Sequence, residues 1–134
     1  MHMALKIWAA LAAVLCVSGC DSASENEVTE VASFCVEAES DRLVITGALQ
    51  TCLSSSCDKL IESECSLSPG DDGLTLEARG LIESKGTECT ADCGSANFRC
   101  EYVPEADGDI TVVAGDLSVD YAFPGGEQAC AGEL

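Results

Sequence analysis

Basic residues are scarce in this 134-residue chain: six Lys and Arg stand against 24 Asp and Glu, for a formal net charge of −18. A surface that acidic repels phosphate backbones, which proteins meet with Lys and Arg, so nucleic acid is excluded as a partner. The same field favours cations and basic partners. Histidine and tryptophan are scarcer still. His2 and Trp8 are the only ones, and both precede residue 20. With no histidine later in the chain, a Ser-His-Asp or Cys-His nucleophile is excluded, and so is a zinc site containing histidine. GxSxG, P-loop and GxGxxG motifs are absent, and a Ser-Lys arrangement needs Lys59 or Lys85, neither of which sits in a nucleophile motif. No pair of acids is marked out for glycoside hydrolysis, and a domain this small has little room for a sugar cleft. The expectation is a protein that is not an enzyme.

Long apolar runs are also few. Residues 7–17, IWAALAAVLCV, form the one such run, and it is too short for a membrane-spanning helix of about 20 residues. Lys6 precedes it and the small residues Ser18 and Gly19 follow. A basic start, a short apolar core and a small-residue end make a secretory signal peptide over residues 1–19. The cleavage region Val17-Ser18-Gly19-Cys20 resembles the lipobox of bacterial lipoproteins. That resemblance implies a diacylglyceryl group on the thiol of Cys20, cleavage just before it and acylation of the new N-terminus. Cys16 follows the bulky Leu15 and leaves with the leader. Two acyl chains suffice for stable anchoring, because each buried methylene contributes about 0.8 kcal/mol. The expected location is therefore outside the cytoplasm, lipid-anchored to a bacterial cell membrane and facing the periplasm or exterior.

Without residues 1–19 the chain has 115 residues, five basic and 24 acidic, and a net charge of −19. It keeps five aromatic residues, Phe34, Phe98, Tyr102, Tyr121 and Phe123. Eight cysteines remain besides Cys20: Cys35, Cys52, Cys57, Cys65, Cys89, Cys93, Cys100 and Cys130. An even count in an exported chain predicts four disulfides, which a small core with few aromatics needs. No CxxC pair occurs, which argues against zinc ribbons and thioredoxin-like redox chemistry. Eight cysteines allow 105 pairings, and spacing does not choose among them.

Residues 20–32 hold the anchor and an acidic stretch, DSASENEVTEVA, expected as a flexible tether. Residues 33–134 are expected to fold as one disulfide-stapled β domain. RLVITGAL (42–49) is rich in β-branched residues and interrupted at Gly47. KLIESECSL (59–67) alternates, with Ile61, Ser63, Cys65 and Leu67 on one face; a helical turn over 56–65 competes with it. SPGDDG (68–73) predicts a turn longer than the tight two-residue type, leading into LTLEARGLI with Leu74, Leu76 and Ala78 on one face. NFRCEYV places Phe98, Cys100 and Tyr102 inward, and a hairpin over 109–123 turns at Ala114-Gly115-Asp116 with Val119, Tyr121 and Phe123 inward. With a short strand near 33–38 the count is about seven. The fold class is all-β, a small antiparallel β-sandwich, immunoglobulin-like in architecture.

CGSANFRCEYV (93–103) resembles the immunoglobulin strand that carries an aromatic two residues before a cysteine. Phe98 lacks the hydroxyl of a tyrosine corner, and no Trp remains to pack on a central disulfide. As a whole the chain resembles the small cysteine-rich lipoproteins of bacteria with large secretomes, such as myxobacteria. The lipobox, the CTADC loop (89–93), the following FRC and the VDYAFP end carry that resemblance. It implies an extracytoplasmic β domain with no established activity.

The function expected is a membrane-anchored, non-catalytic binding or structural module whose partner is an envelope protein or a surface polymer. An inhibitor-like domain with a rigid loop within 84–96 is one alternative. A calcium-dependent module is another, with Asp71, Asp72, Asp107 and Asp109 as the candidate oxygen ligands. Acidic residues in turns also serve simply as turn formers, and no cofactor is otherwise implied.

Overall fold

The alternation of apolar and polar residues is realised as β-strands throughout the computed structural model, which describes residues 23–133. The expected leader over residues 1–19, with Cys16, and the expected anchor Cys20 lie outside the described residues. The strands are β1 (Ser24–Val28), β2 (Val31–Glu39), β3 (Arg42–Leu53), β4 (Asp58–Gly70), β5 (Gly73–Ser84), β6 (Gly94–Tyr102), β7 (Gly108–Ala114), β8 (Leu117–Phe123) and β9 (Ala129–Gly132). They form two sheets. One runs β6-β3-β2-β9; in the other β5 is the hub, carrying β4 along one edge and both β1 and β7 along the other, with β8 beyond β7. All pairings are antiparallel except a two-residue parallel contact, in which Leu74 and Thr75 of β5 meet Val112 and Val113 of β7.

The inner faces follow the expected period of two. Leu74, Leu76 and Ala78 are buried, as are Phe98 and Val119, Tyr121 and Phe123. They join Phe34, Val36, Leu43, Ile45 and Leu49 in one core. The Tyr121 hydroxyl donates to the Gly126 carbonyl at 2.9 Å, so its polar tip is satisfied inside an apolar layer.

Several expectations are corrected. The acidic stretch 21–32 is not a tether throughout, because residues 24–28 pair with Gly80–Ser84 as β1. Four of its five side chains, SENEV, are exposed, so no apolar alternation announces the strand. A second additional strand, β9, is short and pairs with β2. Residues 58–70 are strand, not helix. Within β4 the register shifts between Leu60 and Glu62. Ile61 is the extra residue of this bulge and is 45% exposed, while Leu60 packs against the core instead. Ser63, Cys65 and Leu67 keep the shared face. The β4–β5 turn is the tight type after all, since Gly70 pairs with Gly73 and only Asp71-Asp72 lie between. Gly73 takes a φ of 125°, which side-chain-bearing residues rarely adopt. Pro69 stays in the strand because β4 is an edge, where a missing N–H breaks no ladder bond.

Gly47 does not interrupt β3. A Cβ there would lie 2.4 Å from both Phe98 Cζ and the Ser33 carbonyl. The glycine is the space into which the Phe98 ring packs.

The eight cysteines pair as Cys35–Cys130, Cys52–Cys93, Cys57–Cys89 and Cys65–Cys100. The first joins β2 to β9 within one sheet. The last joins β4 to β6, the edge strands of opposite sheets. Beside it the Ser63 hydroxyl donates to the Asn97 carbonyl at 2.7 Å. Four disulfides mark an oxidising, extracytoplasmic compartment. Among the described residues no helix is long and apolar enough to cross a membrane.

Two outcomes test this architecture. Replacing Cys65 and Cys100 together by Ala should destabilise the domain by about 2–4 kcal/mol in denaturant melts, with the other three bridges intact. Gly47→Ala should cost about 1–3 kcal/mol, because neither Phe98 nor the Ser33 backbone has room to withdraw.

Candidate binding surface

Strand ends decide where this domain has features beyond its core. β3 and β4 are joined by residues 54–57, and β5 and β6 by residues 85–93. Cys52–Cys93 and Cys57–Cys89 fasten these two loops to each other. Between the bridges lies a network of small polar side chains. The buried Ser54 hydroxyl donates to the Thr90 carbonyl at 2.9 Å, and its backbone N–H donates to Asp58 Oδ2 at 2.8 Å. The Ser84 hydroxyl donates to the other oxygen of Asp58 at 2.6 Å. The Ser55 N–H donates to both carboxylate oxygens of Asp92, at 3.2 and 3.3 Å, and the Thr90 hydroxyl donates to Asp92 as well.

These donors favour the charged carboxylate. Hydrogen bonds from Ser55 first, then Thr90, hold Asp92 down at about 2, and Ser84 and Ser54 lower Asp58. The Ser54 hydroxyl meets the Ser56 and Thr90 hydroxyls and the Thr90 carbonyl, and the nearby Asp58 carboxylate is engaged by the Ser54 N–H and by Ser84. The network is a clamp that fixes loop shape. Residues 85–93 are nonetheless exposed along their length, so the clamp presents a rigid, doubly stapled loop to its surroundings.

The second feature is a cleft of 920 Å³ beside β5. β1 covers β5 from Gly80 onward and β7 covers it only at Leu74 and Thr75. Leu76–Arg79 therefore have no strand partner on that edge. The cleft is lined there by these four residues, by the β1–β2 connection Thr29–Glu30 and by the β7–β8 turn Gly115–Asp116. Glu64 and Glu77 add carboxylates, and no aromatic ring contributes. Arg79 stands among three acids: Glu27 at 3.0 Å, Glu62 at 3.5 Å and Glu64 closer. Those carboxylates raise its already high pKa, Glu64 foremost.

The other arginines are similarly occupied. Arg42 pairs with Glu101 at 2.8 Å, and Arg99 pairs with Glu101 at 2.9 Å and Glu39 at 3.4 Å. Arg42 first and Arg99 second pull Glu101 below the usual carboxylate range. All three arginines are thus engaged by acids, leaving no arginine cluster for phosphate.

Of the residues singled out in the sequence, the eight cysteines are brought together in pairs. Asp71 and Asp72 form the β4–β5 turn, Asp107 lies in the β6–β7 connection and Asp109 opens β7. They reach the same end of the sandwich, but among the described residues no three His, Cys, Asp or Glu side chains converge on a metal position. Asp71 and Asp72 are the two residues of a hairpin turn, while Asp109 is a strand residue opposite Ala122. The cleft escaped sequence reasoning, because it arises from where two unrelated strands stop. No protein-family model, curated protein or solved structure matches this chain.

The clamp makes acid stability predictable. Asp92 and Asp58 have folded pKa values below the unfolded value of about 3.9. Their contribution is complete above that value and is lost as pH falls through the folded values, for Asp92 about 2. Melting temperature should drop between about pH 4 and pH 2. Asp92→Asn should melt lower at neutral pH and lose less on acidification, as followed by circular dichroism across that range.

Proposed function

We propose that this is a lipid-anchored, non-catalytic binding module of a bacterial cell envelope. Cys20 carries the lipid, and the cleft beside β5 takes an extended, basic segment of an envelope protein. The observation that carries the binding reading is the uncovered edge of β5 at Leu76–Arg79. An unpaired strand edge recognises another chain by main-chain hydrogen bonds, and side-chain surroundings set which chain. Here the surroundings are carboxylates, with Arg79 neutralised by its own acids. A surface polymer fits less well, since the cleft offers no aromatic face on which a sugar ring stacks. The absence of histidine after residue 20 and the engaged hydroxyls of the loop clamp support a role without catalysis.

The second reading is the inhibitor-like domain. Its support is specific: residues 85–93 are exposed and tied to the opposite loop by two disulfides. A rigid loop of that kind resists cutting. Under native, oxidising conditions the loop should survive a protease excess, and reduction should expose it. Cleavage of the oxidised protein within 85–93 would remove this reading.

Two experiments test the first reading. Intact mass of the protein expressed with its own leader should show a chain starting at Cys20, with added acyl mass and no free thiol. An unlipidated mass would dispose of the anchor. A photo-crosslinking residue in place of Glu77, in cells, should yield an adduct that the same residue in place of Asp72 does not. Equal adducts at both positions, or none at 77, would remove the cleft from the proposal.

A further inference from the structure

We infer that the stapled end of the sandwich rests against lipid headgroups, with the acidic turn end pointing away from the membrane. This rests on acylation of Cys20, proposed above, and adds the direction in which the domain stands.

The argument begins with chain length. Only Asp21, Ser22 and Ala23 separate Cys20 from Ser24, where β1 begins. Four Cα–Cα steps span at most about 14 Å. Ser24 pairs with Ser84, and Ser84 pairs with Asp58. One row across β1, β5 and β4 therefore starts within that distance of the acylated residue, each further strand standing about 4.8 Å beyond the last. The stapled loops 54–57 and 85–93 leave the sheets at this row, so they are the part of the fold nearest the headgroups.

Charge favours an upright stance over a domain lying on its side. Lys59 and Lys85 are the only lysines after residue 19, and both adjoin the Asp58–Ser84 row. Glu25, Asp58, Glu83, Glu88 and Asp92 lie at this end too, with Glu83 pairing to Lys85 at 3.1 Å, so this is the less acidic end and not a basic one. The opposite end carries Asp41, Asp71, Asp72, Glu105 and Asp107 in its turns, against the single Arg42, which pairs with Asp41 at 3.5 Å. β4 alone, with 13 residues, separates the ends by about 40 Å at roughly 3.3 Å per residue. Anionic lipids attract basic groups and repel acidic ones close to the surface. The acidic turns are thus driven outward while the short link holds the other end down.

A single tryptophan reports the orientation, because the chain after residue 19 has none. The lipidated protein is reconstituted in phosphatidylcholine–phosphatidylglycerol vesicles containing a headgroup-nitroxide lipid. The exposed Thr87 and Ala106 are replaced in turn, as Thr87→Trp and Ala106→Trp. Glu88→Trp and Glu105→Trp repeat the comparison. Quenching should be at least twofold greater at 87 and 88 than at 105 and 106. Equal quenching, or more at 105 and 106, in protein of acylated mass overturns the orientation alone. Absence of acyl mass overturns the anchor and the orientation together.

Discussion

The covalent bond between Cys65 and Cys100 fastens an edge strand of one sheet to an edge strand of the other. A sandwich held by apolar burial alone relies on large side chains meeting between its sheets. Here only five aromatic rings are available after residue 19, and much of the remaining core is Val, Leu, Ile and Ala. The sheets' open side is closed by a bond instead. Phe98, two residues before Cys100, packs over Gly47 and brings β6 close against β3. The aromatic-before-cysteine pattern thus has a job different from the tyrosine corner it resembles. The hydroxyl tether in this domain belongs to Tyr121, at the far edge of the other sheet.

Much of this was readable in advance where local alternation and burial coincide. Residues 74–78, 97–103 and 117–123 each have one face toward the core and one toward solvent, so the period of two in the sequence tells the sides apart. The failures share a physical cause. β1 is polar because its exposed position asks for nothing apolar, and its pairing with β5 is purely tertiary. β9 is four residues long and pairs where Cys130 meets Cys35. The bulge at Ile61 shifts the period by one residue, which alternation alone places one step too late. The cysteines were legible as a set but not as pairs. The β5 cleft was not legible at all, since it is a gap between neighbours that are distant in sequence.

Charge is distributed with a similar economy of basic groups. Each arginine sits among carboxylates that would otherwise repel one another across adjacent strands. Arg79 is the clearest instance, with acids from β1 and β4 drawn around one guanidinium on β5. The arginines are therefore occupied in making an acidic surface compatible with a sheet, and the two lysines are left near the stapled loops. The result is a domain with chemically different ends, which matters for any protein held at one end.

The order of the disulfides has a consequence for how the chain matures. Cys35, Cys52, Cys57 and Cys65 all pair with partners at or beyond Cys89. During export from the N-terminus, four thiols emerge before any of their native partners. An oxidant that joined cysteines as they appeared would link 35 to 52 and 57 to 65, and every bond would be wrong. Rearrangement through mixed disulfides is then needed to reach the native set. Under an oxidant that acts during emergence, production of this domain thus calls for a compartment that reshuffles bonds as well as makes them.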